Sequence, residues 1–153
     1  MTTAHDLMRD WQRAGFAFPP QEIRVPQRIR LYRVWGGGSL ETGAPSAPGV
    51  FLSFDAPQTR REAEGLFAVW EYGNDCRFLT VFEISAGATI FVGKVHPGDY
   101  CQSALGVTGS QVFLATTQMR RFARKIGIAK ELVNDMGRYV VVPNKDPGKH
   151  RSS

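Results

Sequence analysis

Two glycine-linked apolar runs, each carrying one polar side chain, constrain this chain most. The first, Leu31-Tyr32-Arg33-Val34-Trp35, holds one arginine and breaks at once into Gly36-Gly37-Gly38. The second, Gly106-Val107-Thr108-Gly109-Ser110-Gln111-Val112-Phe113-Leu114, passes from a glycine loop through Gln111 into an apolar stretch. Between them, Gly49-Val50-Phe51-Leu52-Ser53-Phe54 presents a hydroxyl. Short apolar runs bounded by Gly and Pro form strands, not long helices. A charged or amide side chain at the mouth of a strand, beside a loop lacking side chains, suits a polar, phosphorylated ligand.

The chain has 153 residues, enough for one domain with its own core. Hydrophobic and charged contents of 42% and 22% are those of an ordinary globular protein. No apolar run approaches the ~20 residues of a membrane helix, so no membrane partner is expected. Met1 to Arg13 is mixed and charged, unlike a secretory signal. The net charge of +5 suits a phosphorylated ligand, a nucleic acid or an acidic protein. Cys76 and Cys101 have no metal-ligand spacing, so the expectation is free thiols and no metal.

Residues 4–14 read as a short amphipathic helix with Leu7, Met8 and Trp11 on one face, ended by Gly15. Pro19, Pro20 and Pro26 punctuate an extended lead-in to a strand at 29–35. The stretch 36–48 is a long loop, a second strand covers 50–54, and 58–72 is a helix with capping-box spacing at Thr59 and Glu62. Its buried stripe is Ala63, Leu66, Phe67 and Trp70. Strands at 78–84 and 88–95, joined by Ser85-Ala86-Gly87, read as a hairpin or as neighbours. A second long loop spans 96–110, and a strand 111–115. A basic helix at 116–126 is closed by Gly127, and a short helix near 129–135 and a strand at 138–142 follow. The whole is α+β. One domain covers 1–143, and the basic tail 144–153 has the composition of disorder.

Three side chains stand out. Arg33 is either an edge-strand arginine in solvent or a cleft residue whose rigid fork of donors fits a diphosphate, with Gly36 as open backbone beside it and Trp35 as a ring wall or a core residue. Ser53 shares a strand face with Phe51, and a buried hydroxyl there needs a partner, either backbone or a catalytic neighbour. Gln111 opens a strand after Gly109 and Ser110, and an amide both donates and accepts, so it fits two vicinal ribose hydroxyls. His96 reads as a satisfied loop histidine. There is no GxSxG, Walker loop or HExxH pattern.

In this order the segments resemble the ADP-ribosyltransferase-like superfamily, above all its bacterial toxin domains. Tyr32-Arg33 matches the arginine of the family's first core strand. Leu52-Ser53-Phe54 matches its Ser-centred second strand, with Ser-Thr-Ser reduced to one serine. Gly109-Ser110-Gln111 lies where the family's Glu-x-Glu would be. Gln in place of that glutamate is similar to NAD glycohydrolase toxins of the tuberculosis necrotizing toxin type and related interbacterial effectors.

The resemblance implies a split β-sheet core with flanking helices. It also implies cleavage of the nicotinamide–ribose bond of NAD+ or NADP+, which serve as substrate, with no separate cofactor. Arg33, Ser53 and Gln111 would be catalytic. Arg33 would hold the pyrophosphate, Ser53 would order the pocket, and Gln111 would hold the ribose hydroxyls. Tyr32, Trp35, Gly36, Phe51, Gly109 and Ser110 would bind substrate, with Trp35 and Phe51 as ring walls. Gln111 lacks the charge a carboxylate would offer the developing cation, and Asp75 or Asp99 are the candidates to supply it.

A toxin's producer needs an immunity protein over the cleft, and an acidic one would complement the +5 charge. The expectation for location is synthesis in the cytoplasm without a signal peptide and delivery into a target cell by a specialised secretion system. One alternative is a mono-ADP-ribosyltransferase modifying a protein or nucleic acid. The other is an RNA-binding module using the helix at 116–126, which ranks low because no RNP-like aromatic motif is present.

Overall fold

The structure is a computed structural model that describes residues 3–43, 48–67, 69, 73–96 and 109–136. It is α+β, with two antiparallel sheets and three short helices among these residues. No described helix is long and apolar enough to cross a membrane.

Helix α1 (Ala4–Arg9) starts at a Thr3 capping box, in which Asp6 N donates to Thr3 Oγ1 and Thr3 N to Asp6 Oδ2. It ends five residues earlier than the apolar spacing predicts. Residues 10–16 turn instead, burying Ala14 and Phe16. The lead-in forms β1 (Gln21–Arg24), and the first apolar run forms β2 (Ile29–Trp35). Strand β3 (Gly49–Leu52) stops before Ser53. Helix α2 (Arg60–Phe67) opens with Glu62 N donating to Thr59 Oγ1, as the capping spacing predicts. It is shorter than the expected 58–72, and Trp70 lies outside the described residues.

Strands β4 (Phe78–Ile84), β5 (Thr89–Lys94) and β6 (Ser110–Ala115) follow. One sheet has the order β1-β5-β6-β3. In the other, β4 lies between β2 and β7 (Ala123–Glu131). The expected hairpin of β4 with β5 does not form, and the two strands belong to different sheets. The turn diverts the chain: Gly87 takes φ +97°, Gly87 N donates to Val25 O, and Val25 N donates to Ala88 O. Those bonds hand the chain from β4 to the strand beside β1.

The basic helix is also corrected. Helix α3 (Thr116–Phe122) ends at Phe122, and residues 123–131 form β7, so no helix occupies the described part of 129–135. Gly127, at φ +68°, is not a helix stop. It sits in the irregularity where the β4–β7 register shifts, between the Leu79–Lys130 and Val81–Ile126 pairs. The expected strand 138–142, the tail and most of the loop 96–110 lie outside the described residues.

Two apolar clusters frame the sheets. One joins them through Leu31, Phe82 and Ile84 on one side and Leu52, Ile90 and Leu114 on the other. The second packs Ala63 and Phe67 of α2 on Val34 and Leu79. A third seats α1 and Phe16 on Phe113.

Candidate functional site

Among the described residues, backbone hydrogen bonds join the two sheets at one pair. Tyr32 N donates to Ser53 O and Ser53 N to Tyr32 O, each at 2.8 Å, just past the end of β3. Beside this joint a small cleft, open to solvent, lies along the seam. Strand β2 contributes Tyr32, Arg33 and Val34. Phe51, Leu52 and Ser53 come from β3 and its continuation, Phe67 and Val69 from the end of α2, and Gln111 from β6. Arg33, Ser53 and Gln111, far apart in sequence, thus line one cleft.

Arg33 is half-buried and crosses the seam. Its Nη1 donates to Phe51 O at 3.0 Å, and its Nη2 to Ser39 Oγ at 3.1 Å and to Leu40 O at 3.3 Å. Nε is enclosed without a hydrogen-bond partner. Arg33 makes no ion pair with a described carboxylate. Burial therefore lowers its pKa to about 10. The side chain is still a cation at neutral pH, and its acceptors among the described residues are neutral. A desolvated, unneutralised cation attracts an anion more strongly than a surface arginine does.

Ser53 is 2% exposed, and its Oγ accepts Asp55 N at 2.8 Å. This local turn and the Tyr32 joint give Ser53 a structural task. Its hydroxyl proton has no acceptor among the described residues. Gln111, 8% exposed, donates through Nε2 to Ala14 O at 3.4 Å. Phe51 also lines the cleft, its ring tilted 59° against that of Phe113 with centroids 5.1 Å apart.

Other expected site residues lie apart from the cavity wall. Trp35 stacks on Phe78 at 4.6 Å and donates to Thr80 Oγ1 at 2.9 Å, which places its ring on the sheet beyond Arg33. Gly36 packs against Asp75, where any Cβ would strike Oδ1. Gly109 donates to Leu66 O at 2.8 Å, tying the start of β6 to α2. Ser110 is exposed and pairs with Lys94. His96 is exposed, and its N donates to Gly15 O. Asp75 does not line the cavity, and Asp99 lies outside the described residues. The described wall therefore holds no carboxylate, and its ionisable groups are Arg33 and Tyr32.

Sequence reasoning missed Phe67, Val69 and Glu64. Glu64 is 2% exposed on α2, and its carboxylate accepts Val69 N at 3.0 Å, holding a residue of the cavity wall. Its spacing of three from Phe67 was the available signal, because it puts a charge on the apolar stripe.

No family model matches this chain, and no curated protein matches it. Among solved structures it is similar to Tne2, solved in complex with Tni2, at 18% identity and a TM-score of 0.57. That likeness covers 76% of this chain and 94% of Tne2. It is also similar to Rhs1-CT, solved with its cognate immunity protein RhsI1, at 17% identity over 86% of this chain and 97% of that one, with a TM-score of 0.48. The fold described above is one that Tne2 shares.

Proposed function

We propose that this chain is an ADP-ribosyltransferase-like toxin domain that hydrolyses NAD(P)+ in a target cell. The observation carrying this reading is the convergence of Arg33, Ser53 and Gln111 on one cleft at the seam of two sheets. The sequence resemblance implied those three residues in those roles.

The chemistry asks little of acids and bases. The nicotinamide nitrogen is already cationic, so the C–N bond breaks with its electron pair leaving on a neutral nicotinamide. The ribose carbon becomes oxocarbenium-like, and a water attacks its opposite face. The products are nicotinamide, ADP-ribose and one proton. The enzyme's contribution is positioning and electrostatics. Arg33 binds the pyrophosphate, the role its unneutralised charge suits. Gln111 holds the ribose hydroxyls. Ser53 and Phe51 shape the wall near the nicotinamide ribose. The cleft is small and open to solvent, so the dinucleotide lies along it with only its reacting end against the wall.

Release of ADP-ribose into water is favoured over transfer. A transferase would use a carboxylate to activate or orient its acceptor, and none is among the described wall residues. The RNA-binding alternative loses support because α3 spans only seven residues. Arg124 and Lys125 are moreover engaged by Glu83 and Glu41.

A toxin of this kind needs a protective partner, and Tne2 was itself captured in complex with Tni2. The partner proposed here is an acidic immunity protein that covers the cleft, with delivery through a specialised secretion system. The test is incubation of the purified protein with NAD+ and with NADP+, with no acceptor, following nicotinamide release. Radiolabelled ADP-ribose on a macromolecule rather than in solution would instead favour the transferase.

A further inference from the structure

Gln111 is oriented from behind the cleft. On β6, Gln111 and Phe113 share one face, and Phe113 is fully buried there against Phe51. The segment 14–16 covers that face, with Ala14 and Phe16 buried in the same cluster. It is tied down on both sides: Phe16 N donates to Trp11 O, Ala17 N to Lys94 O at 2.9 Å, and His96 N to Gly15 O at 2.8 Å. Gly93, the register partner of Gln111, leaves room for this packing, because a Cβ there would collide with the Phe16 ring.

Gln111 Nε2 donates to Ala14 O at 3.4 Å. A backbone carbonyl only accepts, so it selects one of the two orientations of the amide. Nε2 faces Ala14. Oε1 faces away, accepts from no described residue and is not enclosed.

We infer that the Ala14 carbonyl is a positioning group that makes Gln111 an acceptor toward ligand hydroxyls. It also makes glutamine, rather than the glutamate of the resembled family, the residue this site requires. A carboxylate at 111 would set an oxygen against Ala14 O in a site only 8% exposed, with no donor between them. Its escape would be rotation away from Ala14, which removes the fixed geometry. This inference rests on the proposed NAD+ hydrolysis for its catalytic part, and on the fold alone for the orientation of the amide.

The test pairs Gln111→Glu kinetics with NMR of the wild-type protein. The wild type is expected to show Gln111 side-chain amide protons with cross-relaxation to the Gly15 α protons, which lie on the same side of the peptide bond as Ala14 O. Gln111→Glu is expected to lose about tenfold or more in kcat, with a smaller change in KM for NAD+, the scale of an opposed buried acceptor. A Glu variant as active as wild type, or more active, overturns the inference, because the position would then need only an acceptor. If the variant does not fold, the wild-type amide decides: cross-relaxation to Gly15 supports the inference, and its absence overturns it. If wild type leaves NAD+ intact, the proposed function and the catalytic part fall together. The NMR result then upholds or overturns the orientation.

Discussion

Strands β6 and β7 show how differently one chain can use two strands. β6 lies between β5 and β3 and is buried from Gln111 through Leu114. β7 pairs with β4 alone among the described strands, and no residue of it is fully buried. β6 carries Gln111 on a rigid support packed from both faces. β7 carries Arg124, Lys125 and Lys130 into solvent, with Ile128 93% exposed. A polar group inside a dense core is held in one geometry, while the same chain at an edge can change with little consequence. Function is therefore expected to depend on β6 and the seam it faces, and not on β7.

The largest test of that contrast is Phe113→Ala. Phe113 is fully buried between Phe51 and Phe91, and its truncation should cost about 3–5 kcal/mol of unfolding free energy in a denaturant titration. A cost under about 1 kcal/mol, the exposed-site range, would remove the reason for calling β6 the rigid support.

Arg33→Met comes next and should separate stability from activity. Methionine keeps much of the stem volume and removes a desolvated cation that has no ion-pair partner among the described residues. NAD+ turnover should fall about 10²-fold, as when one transition-state contact is lost, while the melting temperature stays level or rises. Turnover lost only in step with unfolding would make Arg33 a structural tether to Ser39 and Leu40.

On β7, Gly127→Ala should cost about 1 kcal/mol, because φ is +68° and a Cβ there meets nothing else within 4 Å. Ile128→Ser should change stability by less than about 0.5 kcal/mol and leave turnover intact. A larger loss of turnover in either variant would show that β7 takes part in the site.

The same contrast explains what could be read from sequence. β2, β4 and β6 were legible because each is an apolar run packed on a core, and the boundaries of β2 and β4 match their patterns to the residue. The first part of β7 was read as the end of a basic helix because Gly127 looks like a helix stop. An edge strand with little burial leaves no alternating pattern to contradict that. The β4–β5 hairpin was misread because turn chemistry at Ser85-Ala86-Gly87 does not say which partner strand is waiting. The bonds of Val25 to Gly87 and Ala88 decide it, and they are non-local. Arg33, Ser53 and Gln111 were legible as isolated polar groups in apolar runs. Glu64, Val69 and the carbonyl of Ala14 were not, since their part in the cleft arises only when α2 and the segment after α1 pack against β6.

The central claim is that the seam lined by Arg33, Ser53 and Gln111 cleaves the nicotinamide–ribose bond. The most direct measurement is nicotinamide release from NAD+ by wild type beside Gln111→Ala, with folding of both checked by circular dichroism. Turnover by wild type without an acceptor, reduced about 10²-fold or more in a folded Gln111→Ala, is the expected result. Unchanged NAD+ and NADP+ at micromolar wild-type protein, or equal turnover by the two proteins, would contradict it.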